Sequence, residues 1–220
     1  RGTERVAQFF GPIMAVWFII LAIGGISHIV DDPRVFLAFN PYYGAKFVAY
    51  NGLIGITVLG LVFLAVTGAE ALYTDLGHFG RRPITLAWFA VSFPALVLNY
   101  LGQGALLLRH GAETGNPFYA LVPQSLTLAM VILSTIAAAI ASQSMISGIF
   151  SITRQAIQLG YLPRMRIIHT SEMQEGQIFM PVVNLFLFVG CVAVMVGFGG
   201  SSELAGAYGV AVTTVMLMSG

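Results

Sequence analysis

Residues 114–153 are forty consecutive positions without a single Asp, Glu, Lys or Arg. Further stretches that lack these four residue types are 6–30, 47–69, 83–108, 178–202 and 204–220. A helix needs about 20 predominantly apolar residues to cross roughly 30 Å of hydrocarbon. Each stretch is close to that length or exceeds it. Water does not impose such a pattern and lipid does, so the sequence predicts an integral membrane protein.

The composition excludes a soluble globular domain. Hydrophobic residues make up 57% of the chain and charged residues 9%, against about 25% charged residues in soluble domains, and the mean hydropathy is +0.86. The net charge of +1 indicates no nucleic-acid partner. Cys191 is the only cysteine, which leaves no intrachain disulfide, and we interpret it as a small core residue. Because the sequence opens on Arg1 without Met and stops in an apolar run, we expect it to be the middle of a longer protein.

The distribution of Lys and Arg predicts how the spans run, because short cytoplasmic loops carry the excess of these residues. If 114–153 holds one span, the chain has six spans and seven of its ten cations share one side. Those seven are Arg1, Arg5, Arg81, Arg82, Arg154, Arg164 and Arg166, while Arg34, Lys46 and Arg109 share the other side. Two spans in 114–153 would divide the cations four against six. The one-span interpretation is favoured, with the N-terminal end of this chain in the cytoplasm.

The predicted spans are all helical. Their approximate bounds are 8–29, 50–73, 84–108, 122–148, 178–198 and 203–220. A polar cytoplasmic connection is expected over 154–177, where Arg164 and Arg166 either set the topology or meet anionic headgroups. Small residues indicate close helix packing, in particular Gly52, Gly55 and Gly60. Pro94 predicts a distortion in the third span, because proline removes a backbone hydrogen bond.

One carboxylate lies within the second predicted span. The segment 67–73 places Glu70 between apolar residues and puts a helix-weakening Gly68 two positions before it. An ionisable group inside a span costs about 2.5–3.5 kcal/mol on insertion scales, and by default it marks an ion or proton pathway. On a helix Thr67 and Glu70 share a face, and a break at Gly68 would free backbone carbonyls for a cation. The alternative is that Glu70 lies at the cytoplasmic end and reaches the membrane interface.

Tyr208 is the second candidate for ligand contact. It stands between Gly206 and Gly209, which leave room for close backbone approach, and Thr213 and Thr214 continue a polar row. The alternative is an ordinary tyrosine of the interfacial aromatic belt.

Other polar groups have simpler explanations. Asn99 and Gln103 lie four residues apart on the third span, as expected for interhelical hydrogen bonds. His28, Asp31 and Asp32 either bind a metal or form a solvated turn, and the turn is favoured.

An intramembrane enzyme is not indicated. The sequence contains neither G-x-S-x-G nor H-E-x-x-H. Its four histidines, His28, His78, His110 and His169, lie at or beyond the ends of the predicted spans. Translocation is therefore favoured over catalysis.

Several motifs, in order along the chain, resemble the KUP/HAK/KT potassium uptake family. They are Gly11 to Met14 before Trp17 and Phe18, Gly68 to Tyr73 running into Asp75, Gly77 to Gly80, Pro94 with Asn99 to Gln103, Ser142 to Ser151, His169 to Ser171, Gly176 to Ile178, and Ala207 to Gly209. The resemblance covers nearly the whole chain.

The resemblance implies a twelve-helix transporter with the inverted repeat of the LeuT and amino-acid transporter class, of which this chain would supply helices five to ten. It implies potassium uptake, coupled to protons as in bacterial members. Thr67, Gly68 and Tyr208 would contribute oxygens to potassium, and Glu70 would supply negative charge or a titrating proton. The helices that complete the ligand set, the first and third, would belong to the remainder of the chain.

We therefore expect a fragment of a multi-pass transporter of the cell inner (plasma) membrane, with no cofactor beyond transported potassium and protons. Its expected partners are membrane lipid and the missing remainder of the same chain, and a homodimer is an open alternative to a monomer. Two other functions stay open: an amino-acid or organic-cation transporter of the same fold, and a passive potassium channel.

Overall fold

The structure is a computed structural model that describes residues 4–66, 81–169 and 178–219. Its helices are α1 (Glu4–Asp31), α2 (Pro41–Val66), α3 (Arg81–Ala87), α4 (Phe93–His110), α5 (Pro117–Ala120), α6 (Thr127–Gln158), α7 (Pro181–Phe198) and α8 (Ser201–Ser219). Short 3₁₀ turns cover Pro33–Phe39, Gly111–Thr114 and Gln124–Leu126, and a π-helical turn covers Trp88–Ser92. Two strands, β1 (Ile168–His169) and β2 (Ile178–Phe179), form an antiparallel pair.

Five helical segments of the described residues are long and apolar enough to cross a membrane. They are Phe9–Asp31, Pro41–Val62, Arg82–His110, Gln124–Gln158 and Pro181–Phe198. The predicted class, a polytopic helical membrane protein, is confirmed. The sixth predicted span coincides with α8, a 19-residue helix that is not among these five, so the count of six stays a prediction.

Helices α1 and α4 approach each other closely at two glycines. A Cβ atom added to Gly102 of α4 would lie 2.5 Å from the Cα atom of Gly25 and 2.8 Å from its carbonyl oxygen. A Cβ atom on Gly25 would clash with the Leu98 carbonyl in the same way. Only glycine permits this approach, and neither Gly25 nor Gly102 was among the glycines predicted to pack helices together.

Helix α2 is broken at Gly52. This residue has φ 50° and ψ −121°, which lies outside the helical region. Glycine adopts such a positive φ more readily than other residues. The helical halves 41–51 and 53–66 fold toward each other at the break, and a Cβ atom on Gly55 would lie only 2.9 Å from the Cα atom of Val48. Gly52 and Gly55, which were predicted to pack one helix on another, therefore shape α2 itself.

The distortion predicted at Pro94 takes the form of the π-helical turn Trp88–Ser92. The N–H of Phe93 bonds to the carbonyl of Trp88, five residues earlier. Proline lacks an N–H group and its ring clashes with the carbonyl four residues before it, and a single wider turn relieves both problems.

An apolar cluster lies beside the predicted polar connection 154–177, and Met165 and Ile167 of that connection pack against it. Phe150, Ile178 and Met180 are buried together, and Met180 is 0% exposed. Phe150 also meets Phe179 edge to face, with ring centroids 5.9 Å apart. The β1–β2 pair was not predicted, because two paired residues per strand leave no alternating pattern in the sequence.

The predicted topology can be tested by cysteine labelling of the full-length protein in intact cells. Cys191 is exposed rather than a core residue, so it should first be replaced by Ser. Because cations accumulate on the cytoplasmic side, a cysteine at Pro83 or at Pro163 should be shielded from an impermeant thiol reagent added outside, whereas one at His110 should react. Labelling of the Pro163 cysteine from outside would contradict the orientation that we predict.

The contact between α1 and α4 predicts the effect of adding one methyl group. Gly102→Ala forces a Cβ atom against backbone atoms of Gly25, which cannot rotate away as a side chain can, and overpacking of this kind typically costs about 1–3 kcal/mol. We expect the purified full-length protein to unfold at a lower temperature in detergent. The control is Gly190→Ala, since no heavy atom of the described residues lies within 4 Å of a Cβ atom at Gly190. Equal thermal stability of the two variants would rule out the close contact.

Candidate functional site

The candidate site is the segment that directly follows α2. Thr67, Gly68 and Glu70 lie outside the described residues, so their predicted roles stay predictions. The described part of α2 ends at Val66, the residue immediately before Thr67. The contacts of α2 with its neighbours therefore show what surrounds the last described residues before Thr67.

Helix α8 packs against α2 and carries Tyr208. A Cβ atom on Gly209 would lie 3.8 Å from the carbonyl oxygen of Gly60, which is ordinary van der Waals contact. Helix α8 therefore meets α2 at Gly209, whereas no heavy atom of the described residues lies within 4 Å of a Cβ atom at Gly206. Tyr208 itself is 46% exposed in this chain. Along α2, Gly60 precedes Val66, the last described residue of this helix, by six residues, or about 9 Å along the axis.

A second tyrosine, Tyr100, reaches α2, and this contact was not predicted from the sequence. The hydroxyl of Tyr100 in α4 donates a hydrogen bond to the main-chain carbonyl of Ala65, with an oxygen–oxygen distance of 2.8 Å. The one available signal was a phenol inside an apolar span, because a tyrosine hydroxyl away from water usually finds a partner. In the sequence, Tyr100 lies within the motif that runs from Asn99 to Gln103.

The Asn99 side chain is buried where α4 meets α1. Asn99 is 4% exposed, and its Oδ1 atom has no hydrogen-bond partner within the described parts of the chain. The interhelical hydrogen bond expected for Asn99 is therefore absent at this atom in residues 4–66, 81–169 and 178–219. Tyr100, the next residue, instead makes the bond between helices.

Two ion pairs lie at the C-terminal end of α1, and one of them joins α1 to the end of α4. Nη1 of Arg109 lies 3.5 Å from Oδ2 of Asp31. Asp32 accepts three bonds from Arg34: from its backbone N at 3.1 Å, from Nε at 2.9 Å and from Nη2 at 2.7 Å. The hydrogen bond from the Arg34 side chain holds the pKa of the Asp32 carboxyl below its usual value.

These ion pairs favour the turn over the metal site at His28, Asp31 and Asp32. Both carboxylates face arginines, and His28 Nδ1 lies 2.9 Å from the carbonyl oxygen of Gly24. Within the described residues, no group of three or more His, Cys, Asp or Glu side chains is placed to hold a metal ion.

The chemistry available next to the site is that of neutral oxygen donors. Backbone carbonyls of α2 and phenol oxygens of α4 and α8 are hard ligands of the kind that coordinate alkali cations in selectivity filters. The described residues thus form a multi-pass helical membrane protein in which a phenol of α4 meets the main chain of α2 close to Val66.

Comparison with known proteins places the chain more narrowly. The family model described as "K+ potassium transporter integral membrane domain" matches residues 1–220. The chain is 57% identical over 219 residues to "Probable potassium transport system protein Kup 1" of Rhizobium johnstonii, covering 100% of this chain and 35% of that protein. It is 54% identical over 218 residues to "Probable potassium transport system protein Kup 2" of Mesorhizobium japonicum, covering 99% and 34%. No solved structure gives a significant match.

The chain belongs to the K+ potassium transporter family, also called KUP/HAK/KT, which confirms the resemblance noted in its sequence. It spans about a third of the length of the curated relatives it matches.

Proposed function

We propose that this chain is the central membrane portion of a secondary active transporter that takes up potassium together with protons across the inner (plasma) membrane. The observation that carries the proposal is identity of 54–57% over nearly the whole chain with proteins named as potassium transport system proteins. These names denote transport, which favours a role other than catalysis. They do not favour an amino-acid or organic-cation substrate.

Potassium binding would use oxygens around the end of α2. A dehydrated potassium ion needs oxygen ligands to replace its hydration shell. The hydroxyl of Thr67, carbonyls near Gly68 and the hydroxyl of Tyr208 would supply part of that shell. The packing of α8 on α2 at Gly60 and Gly209 supports this set, because it holds the helix of Tyr208 against the helix that leads to Thr67.

Glu70 would couple potassium entry to protons. A carboxylate in an apolar segment can be neutral or charged according to its surroundings, which suits a group that accepts and releases a proton during each cycle. Without a resident cofactor, the energy for uptake would come from the proton gradient.

The proposed architecture is the LeuT-like inverted repeat, with this chain supplying helices five to ten of twelve. In such folds, discontinuous helices carry the ion site near the bilayer midplane. The remaining helices of the same transporter and membrane lipid would cover the exposed apolar faces, of which α7 is an example with no buried residue. A homodimer is compatible with the same arrangement.

The decisive test reconstitutes the full-length transporter in liposomes loaded with a pH dye. If the proposal holds, potassium entry acidifies the interior and is faster with an imposed inward proton gradient. Potassium entry that proceeds without any acidification would identify a passive channel. Absence of potassium flux, with uptake of an amino acid or organic cation instead, would contradict the proposed substrate.

Glu70→Gln tests the proton-coupling role. Glutamine keeps the size and the hydrogen bonding of glutamate but cannot titrate, so proton-coupled uptake should collapse while insertion continues. The control is Glu203→Gln, which removes an exposed carboxylate in the first turn of α8. Uptake and its pH dependence are measured against the amount of protein in the membrane. Normal uptake with unchanged pH dependence in Glu70→Gln would reduce Glu70 to an interfacial residue.

Tyr208→Phe tests the proposed potassium ligand. Removing one ligand from a desolvated site typically costs about 1–3 kcal/mol, so the half-saturating potassium concentration should rise roughly five- to a hundredfold. Maximal uptake should change far less, because the ring still packs. Tyr208→Ala is the companion variant. An affinity change below about twofold in Tyr208→Phe, with a large loss in Tyr208→Ala, would leave only a packing role for Tyr208.

A further inference from the structure

We propose that the segment 159–168, which follows α6, is a binding surface for acidic phospholipids, and that Arg164 and Arg166 bind the headgroup phosphate. The inference concerns the contact between the protein and the bilayer, and it does not depend on the proposed transport of potassium. The sequence alone left two explanations open for these arginines, a role in topology and contact with anionic headgroups. Four features of the described residues favour headgroup contact.

The first feature is the alternating exposure of the side chains. Met165 and Ile167 are partly buried, whereas Arg164 and Arg166 are exposed. A period of two is typical of an extended chain, whose successive side chains point to opposite sides, and the segment runs directly into β1. The two arginines therefore lie on the same side of the chain, with Cα atoms roughly 7 Å apart.

The second feature is that the inward side chains hold this segment against two membrane spans. Met165 and Ile167 pack against the apolar cluster that contains Met180, which is 0% exposed. Side chains of α6 and α7 pack against the same cluster, among them Ile146, Val183 and Leu187. The arginines thus occupy a defined place beside the ends of α6 and α7.

The third feature is the depth of this place relative to the bilayer. Helix α7 has 18 residues, or about 27 Å of length, close to the roughly 30 Å of hydrocarbon that a span crosses. Its first residue, Pro181, is therefore close to the boundary between hydrocarbon and headgroups. Met180 precedes Pro181 and belongs to the cluster that Met165 contacts. An arginine side chain next to Met165 is long enough to reach the headgroups at this boundary.

The fourth feature is an exposed apolar stretch directly before the arginines. Leu159, Tyr161 and Leu162 are 71%, 80% and 41% exposed, although they lie beyond the candidate span Gln124–Gln158. Tyrosine is enriched where hydrocarbon meets headgroups. Apolar side chains beside basic ones are the combination expected of a surface that rests on acidic lipid.

The guanidinium groups are available for this contact. Across residues 4–66, 81–169 and 178–219, the two ion pairs join Arg34 with Asp32 and Arg109 with Asp31. Neither Arg164 nor Arg166 is paired with a carboxylate of these residues. A guanidinium group presents two N–H donors to one phosphate, which makes arginine well suited to this ligand.

A role in topology alone is the competing explanation, and lysine separates it from headgroup binding. Lysine and arginine contribute equally to the excess of positive charge in cytoplasmic loops, so the double variant Arg164→Lys/Arg166→Lys keeps the topology. Lysine binds phosphate as a point charge and lacks the fork of the guanidinium group. The lysine variant should therefore insert normally and bind acidic lipid less well.

The test measures which lipid lies beside the segment in the full-length protein. A fluorophore is attached to a single cysteine at Gln158, the exposed last residue of α6, after Cys191 and any further cysteine are replaced by Ser. The protein is reconstituted in vesicles of phosphatidylglycerol and phosphatidylcholine, of which one or the other carries bromine atoms that quench the fluorophore. The ratio of the two quenching signals gives the local preference for phosphatidylglycerol.

We expect a clear local preference for phosphatidylglycerol in the unsubstituted protein. A basic residue near an acidic lipid surface contributes about fivefold to binding. The double variant Arg164→Gln/Arg166→Gln should therefore lower the preference roughly ten- to thirtyfold, and the lysine variant should lower it by a smaller factor. The matched control is Lys46→Gln/Arg82→Gln, which removes two exposed cations elsewhere and should leave the preference unchanged.

Four results would overturn the proposal. Equal quenching by the two lipids in the unsubstituted protein would show that no acidic lipid is selected. The same loss in the control variant would reveal a general effect of charge, and a full preference in the lysine variant would exclude binding by the guanidinium fork. Inorganic phosphate that removes the preference, where chloride at equal ionic strength does not, would identify free phosphate as the ligand.

Discussion

The contact between the backbones of Gly25 and Gly102 is the interaction on which the described arrangement depends. Lipid tails are as apolar as leucine, so helices in a membrane gain little from hiding apolar side chains and associate through close packing instead. Two glycines let α1 and α4 approach until their main chains touch. Ile29, Val35 and Ala105 are buried beside this contact, and the Asp31–Arg109 pair lies at its outer end. The position of α4, and with it that of Tyr100, follows from this pairing.

The fold class could be predicted from the sequence because lipid constrains composition directly. Long uncharged stretches have few explanations other than membrane spans. Pro94 predicted a distortion because proline lacks the N–H group that would bond within its own helix. Which glycines pair could not be predicted. The chain has 25 glycines, and a small residue does not indicate which helix it will meet. Gly52 and Gly55 were therefore assigned to helix packing, whereas the structure uses them to break and fold α2.

Candidate site residues could be proposed from the sequence only where a residue type is unusual in its surroundings. Glu70 stands out because a carboxylate in an apolar segment needs a reason, and Tyr208 because glycines stand close to it on both sides. Tyr100 gave no comparable signal. Its acceptor is the main-chain carbonyl of Ala65, and every residue has such a carbonyl, so no pattern of side chains marks the pair. Contacts to backbone atoms on another helix become visible only in three dimensions.

The strength of the hydrogen bond between Tyr100 and Ala65 indicates what it can contribute to the structure. Interhelical hydrogen bonds between side chains in a membrane protein average about 0.6 kcal/mol in double-mutant cycles, which is too little for this bond alone to hold α2 against α4. Helix α2 also packs on α8 through Gly60 and Gly209, and that contact operates without the phenol. A hydrogen bond is directional, whereas the contact of Gly209 with the Gly60 carbonyl is ordinary van der Waals contact. Because it is weak but directional, the Tyr100–Ala65 bond is better suited to fixing the position of α2 than to stabilising the bundle.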